Sequence, residues 1–367
     1  DRSVSRGLGD VYKRQQLELI VNNQHSPEQP NHRALRNDMT TSLENEIDTK
    51  EDALKIANDP EAREIADAYA LLARIYAGPR FTWEESNFPE NNMRTYQCLH
   101  DSIRRCSPIG TLQALRINGT ITPTVEKDML ISFDDAFRIV YDYAEQGDAF
   151  CQYIIGNVFF WRDDDRISLA RDMITPPRLS LAKRIQQSFQ KGSIQERLIA
   201  LQGTISNETL QDNATKLAKE WFNKALDNGL AMFQGNLRNI YIDEGDFNNA
   251  RRVALTAAEL GNPTMMLYTG LDCHENGKFE DAFTWFTKGA ALGQAESTAE
   301  LADYYYHFYD AKELRRVIPY DPVKAIGLYR RAATKYFSDA GYAALQAAFG
   351  YIFHIGHLPL DWGLIAD

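Results

Sequence analysis

The chain has 367 residues, of which 44% are hydrophobic and 25% are charged, a composition typical of a folded protein. Its net charge of −11 opposes binding to phosphate backbones, so nucleic acid is not an expected partner. No run of about 18 apolar residues occurs, so no membrane span is predicted. The four cysteines form no CxxC pair and no zinc-type cluster, and we interpret them as reduced structural thiols.

The N-terminal segment is interpreted as foreign to the natural protein. Residues 5–15, SRGLGDVYKRQ, resemble the in-frame translation of a transposase-based sequencing adapter. Residues 1–15 are therefore predicted to be an artefact on a metagenomic fragment and no part of the natural fold. Residues 16–38, which include NNQHSPEQPNH, are predicted to be a disordered linker, and Met39 is a candidate natural start.

The C-terminal half contains a repeated sequence. Three similar segments, AKEWFNKALDNG, ARRVALTAAELG and AFTWFTKGAALG, start 32 residues apart, and each ends in glycine. Apolar residues three and four apart place a common face on a helix, and the closing glycine is a typical C-terminal cap. We call the closing position a landmark. With looser copies included, among them LAKRIQQSFQKG, the landmarks are 147, 192, 229, 261, 293 and 337.

Another helix follows most landmarks. We call it the first helix of a pair, and the helix that ends at a landmark a second helix. The eighth and twelfth positions after the landmark are predicted to pack in the core: Ile155, Leu237, Thr269, Leu301 and Leu345, then Phe159, Tyr241, Cys273, Tyr305 and Phe349. A small residue directly after the eighth position, such as Gly156 or Gly270, lets helices approach closely. Pairs this short cannot bury their apolar faces alone, so the pattern predicts an all-α fold, a right-handed α/α superhelical solenoid of stacked helix pairs.

These segments resemble Sel-one-like repeats, which are related to tetratricopeptide repeats. DPVKAIGLYRRAAT and LAKEWFNKALDNGLA are similar to the second helix of that class, and AELADYY and AYALLARIYAG to the first helix. The mean landmark step of 38 also suits this class better than a strict tetratricopeptide period of about 34. The resemblance is loose from 163 to 205. It implies divergent N-terminal helices at 39–132, a repeat array at 133–357 and the start of a truncated further repeat at 358–367.

The sequence contains little that predicts catalysis. It has no GxSxG, Walker A, HExxH or GxGxxG motif, so we expect no enzyme and no cofactor. His354 and His357 lie three residues apart without a third ligand of fitting spacing, so no metal site is predicted. The segment RDDDR at 162–166 lacks the glycine and distal glutamate of a calcium loop, and we interpret it as a solvated loop between helices.

A stripe of aromatic, amide and acidic side chains is predicted along the first helices. The resemblance implies that these helices line a concave face where a partner binds. The candidate partner-binding residues are Asn157, Phe160, Trp161, Asn239, His274, Asp303, Tyr306, His307 and Tyr351. Aromatic side chains anchor interfaces, and an asparagine can bond the backbone of an extended peptide. The competing interpretation is that packing between repeats uses most of these groups.

The resemblance implies a non-catalytic scaffold or adaptor that binds a protein or peptide. One alternative is a regulatory or substrate-recruiting arm of a larger enzyme. Another is a cell-envelope repeat protein with disulfides, in which Cys98 and Cys106 are bridged across a turn. A cytoplasmic location is expected, and a secreted or periplasmic one stays open because we interpret the natural N-terminus as missing.

Overall fold

The structure is a computed structural model that describes residues 49–77, 91–117, 126–203, 205–231, 234–308, 312–334 and 340–353. Within these ranges the chain is built from α-helices and short 3-10 or irregular turns, with no strand, as the all-α prediction requires. Several sequence-based predictions lie outside the described residues: the adapter segment, the linker, Met39, landmark 337, His354, His357 and residues 358–367.

The described residues divide into two compact units. Unit A contains residues 49–71 and 96–228, and unit B contains 72–77, 91–95 and 229–353. Two helices have residues in both units, α2 (Glu64–Tyr76) and α3 (Asn92–Arg104). The other helices of unit A are α1 (Lys50–Asn58), α4 (Pro108–Ile117), α5 (Phe133–Glu145), α6 (Ala149–Phe160), α7 (Ser168–Ile174), α8 (Leu181–Phe189), α9 (Ile194–Gln202) and α10 (Asn207–Asp227). Those of unit B are α11 (Gly235–Asp243), α12 (Phe247–Glu259), α13 (Pro263–Glu275), α14 (Phe279–Ala291), α15 (Ala295–Tyr306), α16 (Lys312–Val317), α17 (Pro322–Ala333) and α18 (Ala340–Ile352).

The landmark glycines end helices through a shared hydrogen-bonded turn. Gly261 and Gly293 have φ angles of 102° and 92°, in the left-handed region where a side chain is strained. The N–H of Asn262 then donates to the carbonyl of Ala257 at 2.9 Å, which closes the last turn of α12. The side chain of Asn262 also accepts from the N–H of Met265 at 3.0 Å and so caps α13. One Gly-Asn dipeptide thus ends one helix and starts the next.

Helix pairs in unit B follow the predicted order. Each of α11 to α14 packs against the next helix along the chain, and α17 packs against both α15 and α18. A Cβ on Gly270 of α13 would lie 2.5 Å from Cε1 of Phe286 on α14. The small residue predicted after the eighth position therefore does allow a close approach between paired helices.

The pairing of α6 corrects the position of one repeat. The sequence places a landmark at Gly192, which makes LAKRIQQSFQKG a second helix. In the structure, α10 is the helix that packs most extensively on α6, while α8 packs mainly on α9. Gly192 also lacks the positive φ of the landmark glycines at 147, 229, 261 and 293. The prediction of a repeat ending at 192 is therefore wrong, and residues 161–206 are an insertion between the two helices of a single pair.

Most of the predicted core positions are buried. The exceptions at the eighth and twelfth positions are Cys273, which is half-buried, and Leu345 and Phe349 on α18, which are exposed. Among the described residues no helix follows α18, so its outer apolar face has no covering helix there. Such a face is buried only where a neighbouring helix packs on it. The pattern in the sequence identifies the apolar face but does not show which helix covers it.

Candidate functional site

In unit A, three of the predicted stripe residues meet at the C-terminal end of α6. Trp161 follows the last residue of α6 and is 50% exposed, whereas Phe159 two residues earlier is fully buried. The half-buried ring of Phe160 meets the indole edge-on, with 4.9 Å between centroids. The guanidinium of Arg116 on α4 lies 5.5 Å from the Trp161 ring centroid, which is a cation–π distance.

Arg116 is held in place by the loop that follows Trp161. Its Nε donates to Oδ2 of Asp163 at 2.9 Å, and its Nη2 donates to the other carboxylate oxygen. This paired arrangement restricts the rotamers of Arg116 and keeps its planar group over the indole. Burial raises the pKa of Asp163 in spite of the hydrogen bond and charge of Arg116.

The same loop overturns the interpretation of RDDDR as a solvated segment. Asp163 and Asp164 are buried and begin a 3-10 turn. Arg162 donates to Asp164 at 2.7 Å, and Arg171 donates to its second carboxylate oxygen. Burial acts to raise the pKa of Asp164, but these two hydrogen bonds outweigh it and hold the pKa below its usual range. The arginines form ion pairs with these carboxylates because a charge removed from water needs a partner of opposite charge.

Two buried amide side chains lie about one helical turn before Arg116 and Trp161 in the sequence. Gln113 precedes Arg116 by three residues on α4, and Asn157 precedes Trp161 by four residues on α6. Among the described residues, no hydrogen-bond partner is present for Nε2 and Oε1 of Gln113 or for Oδ1 of Asn157. A buried polar atom without a partner costs about 1–3 kcal/mol. The sequence analysis missed Gln113, because nothing in its local pattern distinguishes it from a satisfied core glutamine.

In unit B, several of the predicted stripe residues are part of the interior. Asp303 is buried and accepts a hydrogen bond from the hydroxyl of Tyr329, and Tyr351 is also buried. His274 is half-buried, with Nδ1 2.7 Å from the hydroxyl oxygen of Tyr304. Burial, followed by the charge of Asp303, raises the pKa of Tyr329, so its hydroxyl remains a donor. Packing therefore uses Asp303, Tyr351 and much of His274, which is the competing interpretation given for the stripe.

The C-terminal end of α15 forms the wall of a cleft in unit B. The cleft measures about 190 Å³ and is lined by Tyr306, Ile326, Tyr329, Gln346, Phe349 and Phe353. His307 ends α15 in the left-handed region with a φ of 53°, and its Nε2 lies 2.8 Å from the carbonyl oxygen of Ile318. Asn239 is exposed on α11. Tyr306 is thus a stripe residue of unit B that lines this cleft.

The described residues contain no group of three or more His, Cys, Asp or Glu side chains that could hold a metal ion. All four cysteines are free thiols in the structure, and burial raises the pKa of Cys106 to about 11. In the described ranges, no helix has the length and apolar character needed to cross a membrane.

The fold and the repeated turns define a protein of antiparallel helix pairs. No protein-family model and no curated protein matches the chain. Among solved structures it is similar to a Sel1 repeat protein from Oxalobacter formigenes, at 18% identity and a TM-score of 0.35 over 82% of this chain and 80% of that one. It is also similar to c5321, a protective antigen present in uropathogenic Escherichia coli strains that displays an SLR fold. That match has 15% identity and a TM-score of 0.35, over 81% of this chain and 59% of that one.

Proposed function

We propose that the chain is a non-catalytic scaffold that binds an extended peptide segment of a protein partner on α4 and α6 of unit A. One observation carries the proposal. A half-exposed tryptophan lies under a paired arginine, and α4 and α6 each carry, about one turn away, a buried amide with at least one polar atom that lacks a partner among the described residues. Exposed aromatic side chains beside polar groups that lack hydrogen-bond partners are typical of binding surfaces rather than of packed cores.

The chemistry of these groups fits a peptide main chain. An extended strand presents an N–H and a carbonyl at each residue, with about 3.3 Å between residues. Oδ1 of Asn157 can accept such an N–H, and the amide of Gln113 can both donate and accept. Because the terminal torsions of Asn and Gln are broad, each amide can rotate to match the donors and acceptors of a main chain. The indole of Trp161 then supplies the contact area for a side chain.

Peptide selection followed by matched variants tests this proposal. A random peptide library displayed on phage is selected against the whole chain, and the selected peptides are titrated by fluorescence anisotropy. We expect Trp161→Ala and Asn157→Ala each to weaken binding by about tenfold, as is usual for an anchor residue. Phe247→Ala, which removes an exposed aromatic side chain in unit B, is the control and should bind normally.

Tyr306→Ala tests the cleft of unit B with the same peptides. Loss of binding in this variant and not in Trp161→Ala would move the peptide site to that cleft. Full affinity in the double variant Trp161→Ala, Tyr306→Ala would contradict binding at the first helices altogether. Far-UV circular dichroism on each variant confirms that the helices are retained.

A further inference from the structure

The inserted hairpin formed by α8 and α9 stands apart from the rest of unit A. The two helices pack on each other, and neither packs extensively on another described helix. Nη1 of Arg184 donates to the carbonyl of Leu201 at 2.7 Å and so links the open ends of the hairpin. Six large apolar side chains of the hairpin are exposed rather than buried between its helices: Leu179, Leu181, Ile185, Phe189, Ile194 and Leu198.

The most exposed apolar side chains lie at the tip. Phe189 and Ile194 are 76% and 78% exposed, the highest values of any large apolar side chain among the described residues. They flank the turn at 190–193, which contains Lys191. A capping box fixes that turn, because the N–H of Glu196 donates to Oγ of Ser193 at 3.2 Å and the N–H of Ser193 donates to Oε2 of Glu196 at 3.3 Å. The tip is therefore an ordered apolar projection.

The hairpin is basic, whereas the remainder of the chain is acidic. Residues 178–203 contain five Lys or Arg and one Glu, which gives a net charge of +4. Because the whole chain carries −11, the rest of the chain carries −15. Helical spacing places Leu181, Ile185 and Phe189 on one face of α8, with Lys183 on the opposite side. The exposed cations of the hairpin are Arg178, Lys183, Lys191 and Arg197.

We propose that this hairpin binds an anionic lipid surface, with Phe189 and Ile194 inserted at the headgroup level. Amphipathic helices that combine apolar side chains with Lys and Arg bind membrane interfaces through burial and electrostatic attraction together. The acidic remainder of the chain is repelled by such a surface, so the hairpin approaches first. A second copy of the hairpin is a less favourable binding partner, because the two hairpins each carry a net charge of +4 and repel each other.

Vesicle flotation with the full chain tests the proposal. We expect the protein to float with phosphatidylcholine vesicles that contain phosphatidylglycerol and to remain unbound with phosphatidylcholine alone. Raising NaCl from about 0.1 M to about 0.5 M should reduce the bound fraction severalfold. The double variant Phe189→Ser, Ile194→Ser should bind about tenfold more weakly, and Lys183→Glu with Lys191→Glu should lose the preference for anionic vesicles.

The double variant Met93→Ser, Phe247→Ser is the matched control, since it removes two exposed apolar side chains outside the hairpin. It should float as the unaltered chain does, and equal loss in this variant would overturn the proposal. Absence of flotation with anionic vesicles would also overturn it. If light scattering then shows a dimer that Phe189→Ser, Ile194→Ser dissociates, the apolar tip belongs to an interface between two copies. Exposed positions are chosen throughout, so circular dichroism should be unchanged in every variant.

Discussion

The ring of Phe222 on α10 fills the space directly over Gly156 on α6. A Cβ built on Gly156 would lie 2.5 Å from Cδ1 of Phe222. The same relationship recurs in unit B between Gly270 and Phe286, also at 2.5 Å. Because the contact is shared by the two pairs, α10 is the second helix that belongs with α6, and the insertion leaves the pairing of the repeat intact.

Gly156→Ala should therefore destabilise the protein. The added methyl group meets an aromatic ring held by the core, and overpacking of this kind costs about 1–3 kcal/mol. Part of that cost is offset, since alanine is favoured over glycine in a helix by about 0.5–1 kcal/mol. Urea unfolding measures the difference. Phe222→Leu in the same chain should recover part of the loss, because it withdraws the ring edge that the new methyl group meets.

Gly327→Ala is the control for this experiment. Gly327 lies inside α17 and is exposed, and a Cβ added there would meet no other side chain within 4 Å. We expect the substitution to raise the free energy of unfolding by about 0.5–1 kcal/mol through helix propensity alone. Equal stabilisation by both alanine substitutions would show that α10 does not pack on α6 at Gly156.

The turns of the array could be predicted from the sequence because they are local. A glycine in the left-handed region and a capping residue after it are determined within a few residues of chain, as at Gly261 and Asn262. The partner of α6 could not be predicted in this way, since LAKRIQQSFQKG has the same local amphipathic pattern as a repeat helix. Two signals could have identified the insertion, Pro176-Pro177 before α8 and the Trp-Phe dipeptide that α10 shares with α14.

In the candidate site, too, local features could be predicted from the sequence and tertiary features could not. The exposed position of Trp161 follows from its place just beyond the last turn of α6, and the sequence pattern selected it. The buried amides of Gln113 and Asn157 depend on what α4 and α6 present to each other, which is a tertiary property. The register of Asp303 predicts a surface group, yet Tyr329 brings a hydroxyl to it and the pair is buried.

Removal of the inserted hairpin should leave the fold of unit A intact. Replacing residues 178–203 with a short Gly/Ser linker deletes α8 and α9, which make few contacts with other described helices. The flanks are already tied together, because Nδ2 of Asn213 on α10 donates to the carbonyl of Ile174 at 2.7 Å. We expect cooperative thermal unfolding with Tm lowered by no more than about 4 °C.

Trp221→Ala provides the contrast for that deletion. It keeps the hairpin but removes a buried side chain of α10, which should cost about 3–5 kcal/mol. Differential scanning calorimetry of the two proteins compares them directly. A deletion protein that unfolds without cooperativity would mean that α8 and α9 are needed for α10 to pack.

Asp163 and Asp164 should respond to pH in opposite directions. The pKa of Asp164 is below its usual range, so its contribution is present above about pH 4 and is lost as pH falls through the folded-state pKa. The pKa of Asp163 is raised, so any contribution from that group is present at low pH and is lost as pH rises through its folded-state pKa. Asp164→Asn should therefore cost about 2–3 kcal/mol at pH 7, and this cost should shrink as the pH falls below about 4.

Asp163→Asn serves as the companion variant and should cost less than Asp164→Asn at pH 7. Tm is measured for both variants and the unaltered chain at steps from pH 7 to about pH 3. The gap between the unaltered chain and Asp164→Asn should close toward the acid end. A gap of constant size across this range would show that the arginines do not hold Asp164 in its ionised form.

His274 should make unit B less stable in mild acid. Burial lowers the pKa of His274 although Glu275 acts in the opposite direction, so the folded protein favours the neutral ring. The unfolded chain takes up a proton below about pH 6.5, and stability falls as pH drops from there toward the folded-state pKa. His274→Gln should flatten this slope between pH 7 and about pH 5. Tyr304→Phe keeps the histidine and removes its 2.7 Å hydroxyl partner, so it should lower stability by about 1 kcal/mol while the slope persists. A slope that survives His274→Gln unchanged would assign the acid sensitivity to other groups, because no other change is made in that variant.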